Sequence, residues 1–129
     1  YLDSKTLEWV GKMVNPPKMR EGPDNNVWIW KQPLSENEYV ISADVSRGDA
    51  KDFSTFHVID VNSSEVVAEY KGKIRPDTFA ELINKYGIKY NKALVCPENN
   101  SYGYATILKL QELNYPRLYY RRRSRRLMF

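Results

Sequence analysis

Two acidic residues lie where an ionised side chain is costly, next to apolar segments. Asp44 interrupts the apolar run 39–45, and Glu98 directly follows the apolar segment 93–97. A buried carboxylate is destabilising unless it is paired or binds a metal. If the two segments are neighbouring parallel strands, both acids emerge side by side and suit Mg²⁺ or Mn²⁺, since hard cations take oxygen ligands. The residues alone support metal binding and a structural role about equally.

The basic residues are concentrated at one end of the chain. Lys and Arg number 20 against 16 Asp and Glu, but five of the arginines lie between Arg121 and Arg126, and the rest of the chain is nearly neutral. The net charge of +4 is therefore no argument for nucleic-acid binding by the globular part. Exposed cationic side chains either contact phosphates or remain solvated without binding a ligand. The candidates for phosphate contact are Arg47, Lys51, Arg121, Arg122 and Arg123.

Length and composition predict one folded domain. The chain has 129 residues, of which 42% are hydrophobic, enough for one core and too few for two. No apolar stretch reaches the roughly 20 residues that cross a bilayer, and the first residues do not resemble a secretory signal. The single cysteine, Cys96, excludes an internal disulfide and a cysteine-based zinc site. An intracellular, reducing setting is expected.

Three strands precede the helices in the predicted order of elements. Segments 39–45, 53–61 and 65–70 have the composition of strands, and short polar loops join them. Three strands with such loops form an antiparallel meander. Before them, the apolar residues of segment 2–14 have the spacing of an amphipathic helix. Residues 18–26 are polar and are expected to form an exposed connector. A flanking strand is expected at residues 27–30.

The pattern then changes to helices that alternate with strands. Helical spacing covers residues 78–86, with Pro76 at its start and Gly87 at its end. A strand at 92–97, a second helix beginning near Asn99 and a fifth strand from Leu118 follow. Strands connected through helices pair in parallel. We expect an α/β fold, with a five-stranded mixed sheet and flanking helices. Residues 1–37 would lead into a core of residues 38–129.

Two motifs in this order resemble those of a known family. The run from Tyr39 to Ser54, YVISADVSRGDAKDFS, is similar to the first nuclease motif of bacteriophage large terminase subunits: an Asp on the first strand, a glycine-containing loop, and a second Asp before an aromatic residue. The run from Val95 to Asn100, VCPENN, followed by Gly103, resembles the second motif. The similarity extends from about residue 28 to residue 120, and the two motifs are specific only as a pair.

The resemblance implies an RNase H-like nuclease domain that hydrolyses phosphodiester bonds of concatemeric viral DNA during packaging. It makes Asp44 and Glu98 catalytic metal ligands and Asp52 a residue that supports the site. The cofactor would be Mg²⁺ or Mn²⁺, as two ions that stabilise the attacking and leaving oxygens. The implied partners are double-stranded DNA, the terminase ATPase domain, the small terminase subunit and the portal, with no membrane. The implied location is the host cytoplasm.

The chain departs from the family pattern in two respects. The third acid of the family, an Asp on a later helix, has no counterpart before Phe129, and no G-x-x-x-x-G-K-[ST] loop of an ATPase is present. A chain with two of the three acids is expected to bind metal weakly and to cleave slowly or not at all. The alternatives are another RNase H-like nuclease, such as a resolvase or repair exonuclease, and a non-catalytic module that binds DNA or protein.

Overall fold

A mixed sheet with two helices forms the body of the protein. The computed structural model describes residues 16–45, 52–97 and 101–119. The helices are α1 (Pro76–Lys89) and α2 (Ser101–Glu112), and a single 3₁₀ turn covers Pro23–Asn25. The strands of the sheet are β1 (Met19–Glu21), β2 (Val27–Ile29), β3 (Tyr39–Asp44), β4 (Ser54–Asp60), β5 (Glu65–Gly72) and β6 (Leu94–Pro97).

The strand order of the sheet is β1-β2-β5-β4-β3-β6. Strands β3, β4 and β5 are antiparallel neighbours, which confirms the predicted meander. Strand β6 lies parallel to β3, with Ile41 opposite Val95 and Ala43 opposite Pro97. A parallel pair needs a crossover connection, and α1 supplies it between β5 and β6.

Alternation along the strands gives the sheet two different faces. In β4, Ser54, Phe56 and Val58 are buried, whereas Thr55 and His57 between them are partly exposed. Successive side chains of a strand point to opposite faces, so each strand contributes to both. We call the face with Phe56 and Val58 the helix face. The outer face carries Ser42, Asp44, Thr55, His57, Glu69 and Lys71.

An aromatic cluster joins α1 to the helix face. Phe56 is fully buried and its ring stacks on Tyr70 at 5.7 Å between centroids. From α1, the ring of Phe79 lies 6.1 Å from that of Phe56, and the ring of Tyr86 lies 6.0 Å from it. Aromatic pairs at such distances add about 0.5–1.5 kcal/mol each beyond the burial of their surface. This cluster fixes the crossover helix on the sheet.

The sheet has six strands where five were predicted. The predicted flanking strand joins it as β2, the segment predicted as an exposed connector contains β1, and the predicted fifth strand forms only an isolated bridge in the described chain. Met19–Glu21 pairs antiparallel with β2. The guanidinium of Arg20 lies 4.7 Å above the ring of Trp28, and the Glu21 carboxylate accepts a hydrogen bond from the Tyr86 hydroxyl. These partners are distant in sequence, so a short polar strand of this kind is not visible in its own composition. The predicted helix at 2–14 lies outside the described residues.

Helix α1 continues through Gly87 to Lys89, so the predicted end at Gly87 was wrong. The ring of Tyr115 occupies the space that a Cβ on Gly87 would fill, and its hydroxyl donates a hydrogen bond to the carbonyl of Ala93. The N–H of Ala93 in turn donates to the Gly87 carbonyl over 3.0 Å. Burial raises the pKa of Tyr115 to about 12, so the hydroxyl remains a donor at neutral pH. Gly87 leaves room for the ring of Tyr115 and does not end the helix.

The predicted fifth strand pairs with β6 over one residue of the described chain. Leu118 forms a parallel bridge with Val95. The Tyr119 N–H donates to the Val95 carbonyl, and the Val95 N–H donates to the Arg117 carbonyl, each over 2.8 Å. The predicted parallel direction is confirmed for this bridge. Tyr120 and the residues after it lie outside the described chain.

Replacing Phe56 by alanine should destabilise the fold by about 3–5 kcal/mol, because it leaves a cavity between the sheet and α1. Phe53, three residues earlier, is 49% exposed and provides a matched control. Its alanine variant should change the free energy of unfolding by less than about 1 kcal/mol. Urea unfolding followed by circular dichroism measures both. Similar losses in the two variants would contradict the proposed core.

Candidate metal and nucleic-acid site

The predicted metal ligand Asp44 is the last residue of β3 and is exposed on the outer face of the sheet. Its register partner on β4 is Thr55, and the partner of Thr55 on β5 is Lys71. Paired residues of neighbouring strands project from the same face. A carboxylate, a hydroxyl and an ammonium group therefore form a row across three strands at this end of the sheet.

The parallel pairing of β3 and β6 bears on the second predicted ligand, Glu98. Ala43, which precedes Asp44, lies opposite Pro97, which precedes Glu98 in the chain. The structure thus places the last described residue of β6 beside the residue before Asp44. Glu98 itself lies outside the described residues, and so do the predicted phosphate contacts Arg47, Lys51, Arg121, Arg122 and Arg123.

Asp52, predicted to support the site, lies just before β4 and is half-buried. Phe53 and Ser54 follow it, and Ser54 is fully buried on the helix face. The burial of Ser54 anchors the chain at the point where it enters β4. Asp44 ends β3 and Asp52 lies shortly before β4, so the two acids lie near opposite ends of the connection between these antiparallel strands.

A histidine and a glutamate form a pair on the outer face, one row along the strands from Asp44. The histidine is His57, which is partly exposed on β4. The structure shows its Nε2 at 3.1 Å from Oε1 of Glu69 on β5, and the Glu69 side chain is buried. Ser42 on β3 is the register partner of His57 on the other side. Sequence reasoning missed the pair because it depends on the register of two strands.

Asp60, at the far end of β4, has a structural role. Its side chain is buried and accepts hydrogen bonds from the Asn37 amide at 2.8 Å and from the N–H groups of Asn62 and Ser63 at 2.8 and 3.3 Å. Burial by itself would raise the pKa of Asp60, but these hydrogen bonds outweigh it and lower the pKa. The carboxylate therefore holds the turn between β4 and β5.

Cys96 lies on β6 opposite Ser42 and is partly exposed. Burial raises the pKa of its thiol, so the neutral form prevails at pH 7. Among the described residues, no three metal-ligating side chains come together. No described helix has the length and apolar character needed to cross a membrane.

Two lysines near Asp44 were not singled out from the sequence. Lys71 and Lys73 are exposed, and their ammonium groups lie 5.3 and 5.1 Å from the ring centroid of Phe53. The signal that could have found them is the alternation in residues 71–75, K-G-K-I-R, which places cations on one side of an extended segment. The net charge of the chain does not reveal this local group of cations.

The fold is similar to that of solved nuclease domains of phage large terminases, while no protein-family model matches the chain. The large terminase nuclease from the thermophilic phage G20c with bound magnesium has a TM-score of 0.69 and 17% identity, over 87% of this chain and 57% of that chain. Its cobalt-bound form has a TM-score of 0.68 with the same identity and coverage. The Thermus phage P74-26 large terminase nuclease domain has a TM-score of 0.66 and 16% identity, over 81% of this chain and 51% of that chain.

These likenesses establish the fold. The chain has the RNase H-like α/β fold of large terminase nuclease domains, as the two motifs predicted, with six strands instead of five. It spans little more than half the length of the nuclease chains it resembles.

Replacing Asp60 by asparagine should lower the melting temperature by several degrees at pH 7. A carboxylate whose pKa is lowered by folding stabilises the protein above the pKa of the unfolded chain, about 3.9. That stabilisation is lost as the pH falls through the folded pKa. The difference in melting temperature between parent and variant should therefore narrow below about pH 4. Glu36→Gln, at an exposed position, is the control and should show no such trend. A difference that does not depend on pH would contradict the role given to Asp60.

Proposed function

We propose that this chain is the metal-dependent endonuclease domain of a phage DNA-packaging terminase, acting on concatemeric viral DNA. The observation that carries the proposal is the register of β3 and β6, in which Ala43 lies opposite Pro97. In parallel strands, continuing the register by one residue would bring Asp44 beside Glu98. Both side chains would then project from the outer face. The likeness to large terminase nuclease domains agrees with this chemistry.

The chemistry of Asp44 fits a divalent metal. Its carboxylate is exposed at a strand end and makes no hydrogen bond or ion pair within the part of the chain that the structure describes. By contrast, the carboxylates of Asp60 and Glu69 are occupied by hydrogen bonds. A carboxylate without such hydrogen bonds suits Mg²⁺ or Mn²⁺, and the similar nucleases carry bound magnesium and cobalt. Two ions held there would supply Lewis-acid stabilisation of phosphodiester hydrolysis.

Each predicted site residue has its own role in this proposal. Asp44 and Glu98 would hold the cations, and Asp52 would support the site. Arg47 and Lys51, between β3 and β4 in the chain, would contact the phosphate backbone. Such contacts position DNA without reading its bases, so low base specificity is expected. Further phosphate contacts come from Arg121, Arg122 and Arg123.

The cellular setting follows from the same proposal. The substrate is double-stranded DNA, and the domain acts beside the terminase ATPase domain, the small terminase subunit and the portal. This assembly would lie in the host cytoplasm. The shared fold and the two acidic strand ends support this setting, and the alternatives are another RNase H-like nuclease and a non-catalytic binding module.

The protein should bind Mn²⁺ weakly and nick supercoiled plasmid slowly in its presence, because it has two of the three acids of the family pattern. Asp44→Asn and Glu98→Gln should each reduce both activities by at least about 100-fold, since even a residue that supports a metal ligand contributes roughly 10- to 100-fold. Ser42→Ala, on the same strand and face, is the matched control and should behave as the parent. Titration calorimetry measures the binding, and gel electrophoresis measures the nicking.

Unchanged Mn²⁺ affinity in both acidic variants would overturn the metal site. Nicking that resists both substitutions would show that the assignment of the site to Asp44 and Glu98 is wrong. A strong preference for four-way junctions over linear duplex would instead favour a resolvase. DNA binding without any Mn²⁺ binding would favour the non-catalytic module.

A further inference from the structure

We propose that Lys71 and Lys73, held by Phe53, form a binding site for the backbone of double-stranded DNA beside the metal site. We call these three residues the lysine clamp. The inference rests on the proposed function for its choice of DNA, and it assigns residues that the two sequence motifs do not include. It stands on the placement, charge and packing of the three side chains.

The clamp lies on the same face of the sheet as Asp44. Thr55 on β4 is the register partner of both Asp44 and Lys71. Neighbouring strands are about 4.8 Å apart, so the Cα atoms of Asp44 and Lys71 are about 10 Å apart. A backbone whose scissile phosphate lies at Asp44 therefore has its neighbouring phosphates within reach of the two long lysine side chains.

Phe53 brings the two ammonium groups together. Its ring is 49% exposed, and the ammonium groups lie 5.3 Å (Lys71) and 5.1 Å (Lys73) from its centroid. Two like charges near one ring repel each other, and the attraction of each cation to the ring offsets this. The ring therefore restricts two flexible side chains before any ligand binds, which reduces the entropic cost of binding.

The charge of the clamp is not neutralised within the described residues. Neither lysine has a carboxylate within ion-pair distance there, whereas Arg75, two residues further on, pairs with Asp77 at 3.4 Å. Lys31 is paired with Glu65 in the same way, at 2.7 Å. Two unneutralised ammonium groups favour a polyanion, and binding DNA would release its condensed counterions.

The chain provides a matched control on α1. The ammonium groups of Lys85 and Lys89 lie 5.5 and 5.8 Å from the ring of Tyr86, so this second group also has two lysines on one aromatic ring. It belongs to the helix that packs on the face opposite Asp44. Removing either pair of lysines changes the net charge equally. Lys89 also lies 4.0 Å from the Glu21 carboxylate, so a difference between the two variants reports position and local pairing and not total charge.

The test measures affinity for a short DNA duplex by fluorescence anisotropy, in EDTA and over a range of salt concentrations. For Lys71→Gln/Lys73→Gln, the slope of log affinity against log salt should fall by about 2, because each phosphate contact contributes roughly 0.9. Affinity at low salt should fall roughly tenfold or more. Lys85→Gln/Lys89→Gln should retain the slope and affinity of the parent. Circular dichroism establishes that both variants are folded.

Phe53→Leu separates the role of the ring from that of the charges. Both lysines remain in this variant, so the slope should equal that of the parent. The affinity should fall roughly two- to fivefold, because the ammonium groups lose their attraction to the ring. An affinity equal to that of the parent would show that Phe53 does not hold the lysines for binding.

The outcomes distinguish the clamp from the nuclease proposal. If Lys71→Gln/Lys73→Gln keeps the parental slope, or if the α1 variant loses as much, the clamp is wrong even where the parent cleaves DNA. If the slope falls as expected and the parent shows neither Mn²⁺ binding nor nicking, the clamp stands as a DNA-binding surface and the nuclease proposal fails.

Discussion

The pairing of β6 with β3 depends on a helix, because parallel neighbours cannot be joined by a tight turn. Helix α1 has to leave β5, cross the sheet and return the chain in the right register. The rings of Phe56, Tyr70, Phe79 and Tyr86 hold it there. The position of the proposed metal site is thus set by aromatic packing on the opposite face, and none of those rings needs to contact a metal or DNA.

The two faces of the sheet have different roles. Alternation gives the helix face a closely packed core, in which Phe56, Val58 and Tyr70 are almost without solvent contact. The outer face is free to carry Asp44, the pair of His57 and Glu69, and Lys71. Substitutions on the outer face therefore alter binding and chemistry with a small effect on the core. This division explains how a small domain tolerates a carboxylate and two lysines that have no ion-pair partner among the described residues.

The sequence predicted those features that appear within a single segment. An acid inside or after an apolar run is visible without any structure, so Asp44 and Glu98 could be singled out, although Glu98 stays a prediction. The meander and the parallel crossover followed from the change of hydrophobic period after β5. Features that depend on register could not be found in this way. The pairing of His57 with Glu69 and the meeting of Phe53 with Lys71 both arise between strands.

Two local predictions from the sequence were wrong for the same reason. Met19–Glu21 is polar and short, and it forms a strand because Trp28 and Tyr86 provide partners. Gly87 has the appearance of a helix end, but it lies within α1 and leaves room for the ring of Tyr115. In both cases a tertiary contact outweighed local propensity.

The contact between Gly87 and Tyr115 has an evolutionary consequence. A side chain at position 87 would collide with that ring, and the ring's hydroxyl supports the carbonyl of Ala93, at the entrance to β6. The two positions are thus coupled: a larger residue at position 87 requires a smaller residue at position 115 or a shift of the Tyr115 ring. Substitution at position 87 of the crossover helix α1 is therefore restricted by Tyr115, which follows α2.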